Sequence, residues 1–198
     1  MSWFKDWFSK FSKANSPISG AADQRMQQAA DELLVLLDQL FQTTFESHPT
    51  SILIACVWLA GASLFRSFHF PNVGEPGQPV LSDRANELGP VILGIYFSAL
   101  PMKIKMKLDP ADLAGRIPAE EKPKLDLLTT QKIFQDSFHR ILKKYKIDLI
   151  QGAKIGMIVC SRLTEKYCLQ LNILDPKLAA LVVSIGLVEG SKTRPLPL

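Results

Sequence analysis

Residues 51–68 read SILIACVWLAGASLFRSF, and from Ile52 to Phe65 this stretch carries no charged side chain. As a helix rising 1.5 Å per residue those residues would span about 21 Å, short of the roughly 30 Å hydrocarbon layer of a bilayer. The stretch therefore predicts a helix buried at the centre of a bundle. A membrane span is the competing reading, since continuation through Arg66 and His69 to Phe70 nearly reaches the required length. His48-Pro49 punctuates the chain ahead of it, and Thr50 or Ser51 is the expected cap.

Upstream lies AADQRMQQAADELLVLLDQLFQTTFES, residues 21–47. Met26, Ala29, Leu33, Leu36, Leu37, Leu40 and Phe41 recur at intervals of three and four, with Gln28, Asp31, Glu32, Gln39 and Gln42 opposite, which is the pattern of an amphipathic helix. Downstream, PNVGEPGQPVLSDRANELGP (residues 71–90) is dense in proline and glycine and reads as loop, with Ser82 or Asp83 opening a short helical turn. Pro90 suits the first position of a further helix through VILGIYFSAL. In PMKIKMKL, Met102, Ile104, Met106 and Leu108 alternate with Lys103, Lys105 and Lys107, a local strand pattern. With no partner strand in view, a helix end or an extended connection is expected there.

Asp109-Pro110 and Asp175-Pro176 repeat one helix-starting device, an aspartate cap followed by a proline that fixes the first turn. The first is expected to run to Gly115, the second to be closed by Gly190. Between them two longer helices are predicted. One, residues 123–146, buries Phe134, Phe138, Ile141, Leu142 and Tyr145; the other, residues 148–171, buries Ile150, Met157, Cys160, Leu163 and Tyr167. Gly152, Gly156 and Cys160 stand four apart on one face, where their small size admits a close neighbour, for which Ala60-Gly61-Ala62-Ser63 is the candidate.

These readings predict an all-α, single-domain helical bundle of about seven helices with a charge-free central helix. Residues 1–14 are expected to form an amphipathic aromatic docking helix, 15–21 a linker, 22–190 the bundle and 191–198 a flexible tail. The 198 residues suit one core. Charge is uneven along the chain: residues 1–99 hold 6 Lys/Arg against 9 Asp/Glu, and residues 100–198 hold 17 against 10. That asymmetry leaves room for an anionic partner. Cys56, Cys160 and Cys168 lie in apolar segments without framework spacing, which argues against a disulfide scaffold and for a reducing compartment. No secretory signal pattern precedes them, so a cytoplasmic protein is expected, peripheral on the inner face of a membrane.

The functional reading turns on MSWFKDWFSKFSK at the start of the chain. On a helical wheel Trp3, Phe4, Trp7, Phe8 and Phe11 fall within about 140°, with Lys5, Lys10 and Lys13 outside that arc. Such a face suits a membrane interface, a hydrophobic groove on a protein partner, or the chain's own domain or a homodimer contact. A second basic feature combines Lys103, Lys105 and Lys107 with Arg140, Lys143, Lys144 and Lys146 as a candidate anion patch. Nucleic acid is not expected, because no reading motif accompanies the charge.

Catalytic signatures are thin: the three histidines are scattered, and there is no HExxH, CxxC, nucleophile elbow or phosphate-binding loop. No catalytic residue, cofactor or metal is predicted. The expected function is that of a non-enzymatic helical interaction or adaptor protein, docking on a membrane surface or protein partner through its N-terminal helix. One alternative is a small-ligand binder or enzyme using the polar loop of Arg66, His69, Asn72, Glu75, Gln78, Asp83, Arg84, Asn86 and Glu87. Another is an integral membrane protein with spans near residues 51–70, 90–107 and 176–189.

Overall fold

The computed structural model describes residues 21–44, 48–70 and 74–198. Among them the chain is an all-α bundle of seven α-helices: α1 (Ala21–Thr44), α2 (Pro49–Ser67), α3 (Asp83–Ala99), α4 (Met102–Lys105), α5 (Leu127–Lys144), α6 (Leu149–Glu165) and α7 (Pro176–Lys192). Short 3₁₀ turns at Pro110–Ala114 and Ala119–Glu121 lead into α5, and a π-helical turn, Lys166–Gln170, ends α6. Extended pairing among the described residues is limited to one antiparallel bridge between Pro79 and Thr193.

The charge-free helix is the axis of the bundle. In α2 every residue from Thr50 to Phe65 is buried, with α7 and α6 packed most extensively along it and α5, α1 and α3 completing the enclosure. Small residues make this possible. A Cβ added at Gly156 would lie 2.5 Å from the Ala60 Cβ, and one at Gly152 would lie 2.7 Å from Ser63 Oγ, so the α6 stripe does rest on the Ala60–Ser63 patch. Ser63 Oγ seals that contact by donating to the Leu149 carbonyl at 2.8 Å. On its other side α2 meets α7 through Gly61 and Gly190, where a Cβ on Gly61 would come within 2.7 Å of Gly190 backbone atoms. Among the described residues, α2 alone is long and apolar enough to cross a membrane, and its surface is covered by its neighbours.

Uneven charge along the sequence is partly consumed within the fold. The acidic face of α1 lies against basic residues of the second half: Asp31 pairs with Arg162 at 2.6 Å, Glu32 with Lys144 at 2.6 Å and Asp38 with Lys166 at 2.8 Å. Arg162 also donates to Gln27 Oε1 at 2.6 Å.

Several boundaries differ from the sequence reading. α2 starts at Pro49 behind His48 rather than being capped by Thr50 or Ser51, because Ser51 Oγ bonds the His48 ring instead. The helix expected to open at Pro90 opens at Asp83, where Ser82 Oγ accepts the Ala85 N–H at 3.1 Å, and Pro90 lies inside it. Gly89 permits this, since it has no Cβ to clash with the proline ring behind it. The Met102–Lys107 alternation forms a helical turn, not a strand: Ile104 is buried whereas Met102 and Met106 face out together. Ile150, expected in the core, is 40% exposed. α5 starts at Leu127 under an Asp126 cap, and Gly190 serves as a packing residue within α7 rather than as its stop. Within residues 191–198, read as a flexible tail, Ser191 and Lys192 end α7, main-chain groups of Arg194, Leu196 and Pro197 hydrogen-bond the bundle and Pro195 is buried, while Leu198 is 61% exposed.

Candidate functional site

The aromatic segment carrying Trp3, Phe4, Trp7, Phe8, Phe11, Lys5, Lys10 and Lys13 lies outside the described residues, as does Asn72. The two halves of the basic patch have different neighbours. Met102, which opens α4, and Met106, its C-cap, are 68% and 81% exposed and stand one helical turn apart, with Lys103 and Lys107 exposed beside them. Lys105 turns back to donate to the Ser98 carbonyl at 2.7 Å. At the end of α5, Glu32 accepts from Lys144 at 2.6 Å and from the Tyr145 hydroxyl at 2.9 Å, which holds its carboxyl below the usual glutamate range. Arg140 bonds Ser137 at 2.9 Å, and Lys143 and Lys146 are exposed.

The polar loop does not converge. Arg66 turns inward, while His69 is exposed at the left-handed end of α2, with φ 54. Glu75 forms a local turn with Gln78, whose side-chain oxygen accepts its N–H at 3.1 Å. Asp83, Asn86 and Glu87 are exposed on the first turns of α3, and Arg84 reaches the Phe68 carbonyl at 3.5 Å. No ion pair joins these side chains among the described residues.

Sequence reading missed three arrangements. First, His48 Nδ1 lies 2.7 Å from Ser51 Oγ, and its Nε2 lies 3.8 Å from Glu121 Oε2, which accepts from Thr50 at 2.8 Å. The residue types are those of a hydrolytic triad, but Ser51 is fully buried and its oxygen already accepts the Lys124 N–H at 3.0 Å. A nucleophile must reach substrate, so this cluster fastens the start of α2 to the 119–124 segment. Second, a cleft of about 640 Å³ lies over Trp58, whose Nε1 donates to Glu189 at 3.0 Å, with Lys122, Lys124 and Asp126 on its walls. A smaller apolar cleft between α3 and α7 is lined by Ala85, Gly89, Leu93, Leu187 and Val188.

Third, an extended strip, residues 193–197, follows α7 and is held along one side of the bundle. Val80 N–H donates to the Lys192 carbonyl at 2.7 Å, Gly77 N–H to the Arg194 carbonyl at 2.8 Å, and Arg194 N–H to the Gln78 carbonyl at 2.9 Å. Beyond that ladder side chains take over. Leu196 N–H donates to Gln131 Oε1 at 2.9 Å, Arg66 donates to the Leu196 carbonyl at 2.7 Å, and Gln135 Nε2 to the Pro197 carbonyl at 2.8 Å. Arg66 also bonds Gln135 Oε1. Burial lowers the Arg66 guanidinium to about 10, and no carboxylate pairs with it among the described residues.

No group of three or more His, Cys, Asp or Glu side chains able to hold a metal occurs among the described residues. The three cysteines are free and buried, and burial pushes the Cys168 thiol up to about 12 and Cys160 well above its ordinary value. The fold defines the class, an all-α bundle around one apolar axis. Comparison with protein-family models, curated proteins and solved structures finds no match to the chain.

Proposed function

We propose that this chain is a non-enzymatic interaction protein that docks reversibly on an anionic membrane surface, on the cytoplasmic side, through residues 1–14. The exposed turn of α4 serves as its second attachment. Burying half of each ring among Trp3, Phe4, Trp7, Phe8 and Phe11 in an apolar phase yields on the order of 10 kcal/mol gross. Ordering the segment costs about the same, at ~1 kcal/mol per residue. One helix of this kind is therefore a marginal anchor, and stable docking takes two signals.

The observation that carries the reading is the α4 turn, where Met102 and Met106 project together, flanked by Lys103 and Lys107. Each methionine adds about 2 kcal/mol on burial, and each lysine about 1 kcal/mol beside anionic headgroups. Those increments are large against a near-zero balance. Charge also favours lipid over a neutral groove, since these lysines make no ion pair among the described residues.

Vesicle flotation tests the reading. The full chain is expected to rise with vesicles containing phosphatidylserine and to remain below with neutral ones. Removal of residues 1–14 is expected to abolish flotation, and Met102→Ser with Met106→Ser to weaken it several-fold. A full chain that floats with neither vesicle type overturns the proposal and leaves a protein groove or the chain's own domain as the acceptor of the aromatic face.

A further inference from the structure

The strip at residues 193–197 has the form of a bound peptide. In an extended chain the N–H and C=O of one residue point to the same side, and those of the next point away. Here Arg194 and Leu196 turn both main-chain groups to the bundle, and the Pro197 carbonyl is received by Gln135. Of the residues between and beyond them, Pro195 and Pro197 have no N–H to leave unpaired. Proline is thus placed where the receptor asks for no donor.

The receiving surface is built for main chain rather than for a particular side chain. The 77–80 edge supplies a short ladder, as in strand addition to a sheet edge. Gln131, Arg66 and Gln135 then supply one acceptor and two donors in sequence. Gln131 is fully buried and Gln135 nearly so, both fixed on α5, which makes this a preorganised site and not a chance surface contact. The strip does not exhaust it: Gln131 Nε2, on the amide whose oxygen receives the Leu196 N–H, is a buried polar atom with no hydrogen-bond partner. Buried polar groups are ordinarily satisfied, so the groove offers bonding capacity that its present occupant leaves unused.

We propose that the groove formed by the 77–80 edge, Arg66 of α2 and Gln131 and Gln135 of α5 is a receptor for an extended partner peptide with proline at alternate positions. The chain's own residues 193–197 fill it in cis and must be displaced for the partner to bind. Tethering gives the cis strip an effective concentration of order mM, so a free peptide competes poorly unless the strip is unhooked. Leu196→Pro unhooks it, removing the N–H that Gln131 receives while leaving the receptor unchanged.

The test uses the full chain and a fluorescent peptide of residues 191–198, SKTRPLPL, read by anisotropy, with circular dichroism to confirm folding. The Leu196→Pro chain is expected to bind the peptide roughly tenfold more tightly than the unaltered chain. A peptide carrying proline at the position of Leu196 is expected to bind the Leu196→Pro chain roughly tenfold more weakly than SKTRPLPL. That second comparison probes the same bond from the ligand side and involves no folding risk. Failure of SKTRPLPL to bind the Leu196→Pro chain, or equal binding of the two peptides, overturns the proposal.

Discussion

Replacing Gly61 by alanine tests the packing of the central helix. The new Cβ would lie 2.7 Å from the Gly190 C and Cα and 2.8 Å from the Ser191 N, all backbone atoms of α7. Ordinary contact needs nearly 1 Å more, and backbone in mid-helix cannot turn aside as a side chain can. α2 and α7 must therefore separate or slide. Overpacking of this kind costs about 1–3 kcal/mol, against which alanine's helix propensity returns about 1 kcal/mol. Because the separation also loosens the Gly186 contact with Val57 on the same interface, a net loss of about 2 kcal/mol is expected. For a chain of this size that lowers Tm by roughly 4–8 °C. Gly115→Ala is the matched control: its Cβ would meet Leu181 at 3.4 Å, an ordinary contact, and its φ of −80 suits any residue. It is expected to be neutral or stabilising by up to about 1 kcal/mol, through the unfolded chain. Thermal melts of the three chains decide the matter, and a Gly61→Ala chain that melts with or above the parent would falsify the α2–α7 contact.

Further predictions follow from the buried thiols, the acidic groups and the caps. A thiol reagent at pH 8 is expected to label none of Cys56, Cys160 and Cys168 in the native chain and all three after denaturation, because all are buried and the latter two are held protonated; rapid native labelling would show that the core opens. Stability is expected to fall as pH falls. His139 is lowered from 6.5 by burial, and Glu32, Asp112 and Asp126 are lowered by their hydrogen bonds, so the unfolded chain binds protons more readily in each case. The decline begins near pH 6.5 with the histidine and steepens below 4.5 with the carboxylates; denaturant midpoints that rise on acidification would contradict these assignments. Asp126→Ala, which removes the acceptor of the Thr129 N–H at the start of α5, should cost about 1 kcal/mol in chemical denaturation, with Asp126→Asn largely restoring it.

What could be read from sequence divides along physical lines. The central helix was legible because a charge-free run of that length has few places to go, and the Gly152–Gly156 contact with α2 because size alone selects close partners. The α7 face was not, since Gly190 looks like a stop when the only cue is its position after an apolar run. Pro90 misled for the same reason: a local signal favoured a helix start, while Ser82 and Asp83 formed a better one earlier and Gly89 made room for the ring. Alternation in Met102–Lys107 spans too few residues to separate a strand from a turn, and only Ile104 faces inward. Polar-loop residues were named by proximity in sequence, whereas Arg66 finds its partners on α5 and near the chain's end. Reading residues 191–198 as a tail takes no account of Pro195 and Pro197. Their alternation was the available signal of an extended strip held on one side.

Docking of the N-terminal face is measured most directly through its own indoles. Trp58 is 5% exposed, and Trp58→Phe leaves Trp3 and Trp7 as the only tryptophans in the chain. Their emission is expected to shift to shorter wavelength on addition of anionic vesicles and to be quenched by brominated acyl chains. Emission that stays the same with and without vesicles, at a lipid excess that saturates known interfacial helices, would contradict membrane docking.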